Sequence, residues 1–106
     1  MTDLILWTNP SCSKSRGAEA LVPDATTRRY LDEPPTRQEL EELLVKLGTD
    51  DPRVIARPGT LPGASRDELL DALSTDASLI ERPIAIRGNR AVVARPPEKL
   101  LELLDN

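Results

Sequence analysis

The chain is predicted to fold as an α/β domain in the order βαβ, a helical block, then ββα, building a mixed four-stranded sheet flanked by helices. Three observations predict it. A short apolar run, Leu4-Ile5-Leu6-Trp7, precedes a helix-compatible stretch over residues 12–21 and the β-branched and aromatic residues of 26–30. Two capping boxes, Thr36-Arg37-Gln38-Glu39 and Ser65-Arg66-Asp67-Glu68, each open a run of leucines at helical spacing. Gly88-Asn89 is a hairpin turn between two short apolar segments, ahead of a leucine-rich end.

Taken in order, residues 4–7 read as a buried strand, 12–21 as a helix and 26–30 as a second strand. Pro34-Pro35 breaks the chain before a helix that runs to Leu47, with Leu40, Leu43, Leu44 and Leu47 on one face and Gly48 at the stop. Residues 52–57 suit a further helical turn, and 58–64 form a loop rich in Pro and Gly. Leu69, Leu70 and Leu73 give the next helix its apolar face. Residues 83–86 and 91–94 read as the hairpin strands, and Pro97 starts a last helix whose Leu100, Leu101, Leu103 and Leu104 would pack on the sheet. The pairs Arg28-Arg29 and Arg87/Arg90 read as solvated strand faces. No repeat or linker divides the chain, so its 106 residues are taken as one domain with a helical insert at about 36–80.

Composition excludes several chemistries. The formal net charge is −4, from 14 basic and 18 acidic residues, which argues against nucleic acid as a partner. With no His and one Cys there is no internal disulfide, no zinc or iron site, and no Ser-His or Cys-His hydrolysis. No apolar stretch could span a bilayer and no leader precedes the first strand, so the expectation is a cytoplasmic protein whose thiol stays reduced. Apart from Lys14, Lys46 and Lys99 the basic residues are all arginines. Arginine suits bidentate binding of oxyanions, and a GC-rich genome produces the same bias.

The one cysteine, Cys12, follows the turn Thr8-Asn9-Pro10-Ser11 and opens the first helix. There the first-turn N–H groups and the helix dipole favour thiolate over thiol. Arg16, four residues on, lies on the same helix face and adds a cation. A lone cysteine is otherwise a small buried apolar residue. The placement and Arg16 favour the reactive reading.

The element order is that of a thioredoxin-like fold with helices inserted in the middle. In that fold a cis-proline stands beside the thiol, and Arg82-Pro83 occupies the matching position. The motifs are narrower still. Asn9-Pro10-Ser11-Cys12-Ser13-Lys14-Ser15-Arg16 resembles the N-P-x-C-x-x-S-R signature of the glutaredoxin-coupled arsenate reductases, the ArsC family. Tyr30-Leu31-Asp32-Glu33-Pro34-Pro35-Thr36 resembles its Y-L-x-x-P-P-[ST] segment, Arg82-Pro83-Ile84 its R-P-I, and Arg95-Pro96-Pro97-Glu98 its R-P-x-E. The four strings occur in family order along nearly the whole chain.

The resemblance implies a Cys12 nucleophile, with Arg57, Arg82 and Arg95 holding arsenate or a similar oxyanion. Asn9, Ser15, Arg16 and Pro83 take supporting roles, Asn9 by shaping the loop. Arg57 is placed by the looser segment Val54-Ile55-Ala56-Arg57, before a loop shorter than the family usually carries. Thr8 stands where some members have a His. The resemblance further implies no bound cofactor and an external thiol, glutathione or mycothiol, with a glutaredoxin-type protein as partner. Two other readings share this fold. One is a glutathione-dependent thiol reductase, whose arginines would bind the carboxylates of glutathione. The other is an Spx-like regulator that binds RNA polymerase, against which stands the absence of a C-x-x-C switch, since Ser15 holds the fourth position.

Overall fold

The computed structural model describes residues 3–104. Four strands, β1 (Leu4–Thr8), β2 (Thr26–Arg29), β3 (Ile84–Arg87) and β4 (Arg90–Val93), form one sheet in the order β2-β1-β3-β4. β1 and β2 are parallel, as a strand–helix–strand crossover through α1 (Ser13–Leu21) requires. β3 runs antiparallel to β1, with Trp7 opposite Ile84, and β4 returns antiparallel to β3 through the hairpin at Gly88, whose φ is 60°. The mixed sheet expected from the sequence is the one formed.

Strand alternation splits the core into two layers. Leu4, Leu6 and Ala85 face Ala18 of α1 and Leu100 and Leu103 from the chain's end. Trp7, Ile84 and Ile86 face α2 (Arg37–Leu47) and α3 (Arg66–Thr75), through Leu40, Leu43, Leu44, Leu69, Leu70 and Leu73. Both capping boxes close as the sequence reading expected: Thr36 pairs with Glu39 and Ser65 with Glu68, and Gly48 ends α2 with a left-handed φ of 78°. On the α1 side, Gly17 lets the chain end approach closely. A Cβ there would stand 3.3 Å from Pro97 Cγ.

The structure corrects three expectations. First, α1 starts at Ser13 with Cys12 as its N-cap, not at Cys12 itself. Second, residues Pro97–Leu103 form a 3-10 helix. A period of three puts Pro97, Leu100 and Leu103 in one inward row, so Leu101 and Leu104 turn out to solvent at 43% and 40% exposure. Third, two of the arginines read as solvated, Arg28 and Arg87, are half-buried against partners. Arg28 lies over the Trp7 ring, 5.0 Å from its centroid, and pairs with Glu39 at 2.5 Å. Arg87 pairs with Asp3 and donates to the Leu103 carbonyl, and Arg90 donates to that of Glu102. Arg29 and Arg90 are exposed, as expected. Among the described residues no helix is long and apolar enough to cross a membrane.

Leu70 is fully buried between the two long helices and the sheet. Leu70→Ala should therefore lower the unfolding free energy by about 2–5 kcal/mol in urea denaturation. A loss below 1 kcal/mol would show that this layer collapses around the gap.

Candidate active site

The β1–α1 turn is built by its own side chains. The Cys12 N–H donates to the Asn9 carbonyl at 2.9 Å, and Asn9 Oδ1 accepts from the Ser11 N–H at 3.0 Å. The fully buried Ser15 hydroxyl accepts from the Asn9 N–H at 3.0 Å, tying the loop to the first helical turn. Asn9 and Ser15 are therefore occupied as shapers of the turn. Arg16 donates to the Pro10 carbonyl at 3.0 Å, clamping the loop from outside. Arg16, expected to add a cation to the thiol's field, is turned to the loop and is not among the groups that lower the thiol.

The cation comes from elsewhere. Burial pushes the Cys12 thiol up, but the N–H groups of Ser15 and Lys14 and the guanidinium of Arg82 outweigh it and bring the pKa down to about 7. The thiolate is then a substantial species at neutral pH. Cys12 is half-buried, which leaves the sulfur open to a reagent.

Backbone pairings from three separate stretches bring the arginines to this sulfur. The Arg82–Pro83 bond is cis, as the sequence reading proposed, and so is Arg95–Pro96, which it did not anticipate. The Pro83 carbonyl accepts from the Ala94 N–H at 2.9 Å, and the Arg95 guanidinium donates from its side chain to the Arg82 carbonyl at 3.0 Å. Arg57 arrives by an isolated antiparallel bridge, Ala56 to Ile80, with Arg57 N–H donating to Leu79 and Glu81 N–H to Ile55. The short loop after Arg57 is pinned as well. Thr60 donates its hydroxyl to the Arg57 carbonyl at 2.7 Å, while Arg53 holds the carbonyls of Thr60 and Leu61. The loop's brevity does not withdraw Arg57: Cys12, Arg57, Arg82 and Arg95 line one open cleft of about 1010 Å³.

The arginine-rich wall fits an anion. Arg82 Nε is buried without a hydrogen-bond partner. Sequence reasoning singled out three further residues too weakly or not at all. Lys14 lines the cleft beside Cys12. Tyr30, buried under the cluster, has its phenol pKa pushed up by burial and drawn down by Arg82 and Arg57. Glu81 projects a carboxylate among the arginines, its side chain 15% exposed. An acidic residue next to Arg82 reads in sequence as an ordinary solvated charge, so only the geometry distinguishes it.

Known proteins resemble this chain along nearly its whole length. The ArsC family model matches residues 7–103. An arsenate reductase of Haemophilus influenzae is 38% identical over 114 aligned positions, covering 95% of this chain and 98% of that protein. A putative arsenate reductase from Yersinia pestis superposes with a TM-score of 0.87 at 37% identity, covering 94% of this chain and 99% of the other. The Vibrio cholerae arsenate reductase gives 0.86 at 32%, covering 93% and 95%.

Alkylation of Cys12 by iodoacetamide should follow a titration with its midpoint near pH 7, and Arg82→Ala should move that midpoint upward. An unmoved midpoint would remove Arg82 from the thiol's field. Stability should respond too. Between about pH 7 and the ordinary thiol value near 8.5 the unfolded chain holds the proton that the folded chain has lost, so the unfolding free energy rises with pH. Cys12→Ser should flatten that rise in urea titrations at matched pH, and an identical slope in the variant would contradict it.

Proposed function

The chain belongs to the ArsC family, and from that premise we propose that it reduces arsenate through Cys12. The observation that carries this is the convergence of a thiol lowered to about 7 with three arginines on one cleft. Arg82 and Arg95 offer guanidinium forks to the oxyanion, Arg57 closes a third side, and N–H groups at the start of α1 complete the cradle. The same guanidinium that binds the substrate keeps the nucleophile ionised, so one electrostatic device serves both steps.

In this reading the Cys12 thiolate attacks arsenic(V) and forms an S–As bond while one oxygen leaves as water or hydroxide. Arsenic(V) becomes arsenic(III) by taking two electrons, and two thiols supply them by joining as a disulfide. One sulfur of the site comes from this chain, since Cys12 is its single cysteine. The second comes from an external thiol, glutathione or mycothiol, and a glutaredoxin-type protein clears the mixed disulfide. Supporting roles fall to Asn9, Ser15 and Arg16, which hold the thiol-bearing turn, and to cis-Pro83, which sets the backbone beside Arg82.

A coupled assay tests the proposal: arsenate-dependent NADPH oxidation with glutathione, glutaredoxin and glutathione reductase. Wild-type protein should turn over and Cys12→Ser should not. Arg82→Ala and Arg95→Ala should each raise the arsenate KM by about tenfold or more, the scale of a lost charged hydrogen bond. Absence of turnover with both glutathione and mycothiol systems, alongside a reactive Cys12, would favour a thiol reductase of another substrate. Turnover surviving in Cys12→Ser would end the nucleophile assignment.

A further inference from the structure

Glu81 is out of place in a cleft built for anions. Its carboxylate lies 3.6 Å from the Arg95 guanidinium, accepts the backbone N–H of Arg82 at 3.3 Å, and lines the same cleft as the groups proposed to hold the oxyanion. Both contacts fall on Oε1, and Oε2 is the acceptor that remains. A carboxylate there repels a bare anion and offers it nothing but lone pairs. To an anion that carries a hydroxyl, the same oxygen is a strong acceptor.

We propose that Glu81 selects protonated tetrahedral oxyanions, accepting a hydrogen bond from the As–OH or P–OH group while the arginines bind the unprotonated oxygens. At neutral pH arsenate and phosphate keep at least one hydroxyl, whereas sulfate keeps none. Sulfate at Glu81 would place two acceptors face to face with no proton between them, against a carboxylate that is itself largely buried. Arg82, Arg95 and Arg57 alone would take all three anions. The carboxylate makes the cleft a filter against the sulfate that any cell contains, at the cost of some net attraction. This assignment rests on the oxyanion reading of the cleft and deepens it.

The test measures binding of inorganic phosphate and sulfate, neither of which the thiol can reduce, by protection of Cys12 from iodoacetamide at constant ionic strength. Wild-type protein should bind phosphate about 10- to 100-fold more tightly than sulfate. Glu81→Gln keeps the shape and an oxygen for the Arg82 backbone N–H, and its NH2 can donate a hydrogen bond to sulfate. It should tighten sulfate binding about tenfold and bring the phosphate-to-sulfate ratio close to one. A gain of sulfate binding cannot come from a damaged fold, so the outcome reads the filter itself. In the coupled assay, sulfate should inhibit the variant at concentrations that leave wild type unaffected. A variant that keeps the wild-type ratio, or a wild type that binds both anions alike, overturns the assignment of Glu81 and leaves the oxyanion cleft standing. If phosphate, arsenate and sulfate all fail to protect wild-type Cys12, the oxyanion reading falls, and Glu81 with it.

Discussion

The antiparallel pairing of β3 against β1 is the constraint on which the site depends. With Trp7 opposite Ile84, the C-terminal end of β1 and the start of β3 lie at the same end of the sheet. Cys12 leaves the first and Arg82 precedes the second, so residues far apart in sequence meet through strand register. A slip by one residue would turn Trp7 and Ile84 to the opposite face and separate the thiol from its cation. The two core layers hold that register. Leu4, Leu6 and Ala85 are packed on one face, and Trp7, Ile84 and Ile86 on the other.

Shorter tethers extend the same arrangement. The Ala94-to-Pro83 hydrogen bond carries Arg95 to Arg82, and the Ala56–Ile80 bridge carries Arg57 to Glu81. Arg57 is fixed through its backbone, whereas Arg95 also gives one guanidinium nitrogen to the Arg82 carbonyl and keeps its other donors for a ligand. Arg82 lowers the thiol's pKa, and three guanidiniums on one cleft repel one another, a tension that Glu81 and an incoming anion both relieve.

Much of this was legible in the chain, and the exceptions have physical reasons. The capping boxes and the Gly48 stop are local hydrogen-bond chemistry, so sequence reveals them. The outward turn of Leu101 and Leu104 was not legible, because 3.0- and 3.6-residue periods agree over one turn and diverge only over two. Arg28 looked solvated because its partners, the Trp7 ring and Glu39, come from a neighbouring strand and a later helix. Arg16 looked like the thiol's cation on helical spacing alone, yet its guanidinium turns back to the Pro10 carbonyl.

The sequence by itself determined the elements, their order and the family, because these follow from periodicity, caps and motifs read along the chain. It also singled out Cys12, Arg57, Arg82 and Arg95. Only the tertiary structure decided which charges act on the sulfur, that the short loop leaves Arg57 on the cleft, and that an acidic residue stands among the arginines. Electrostatic interaction depends on distance through space, and that distance is set by strand register and bridging hydrogen bonds between segments with no proximity in sequence.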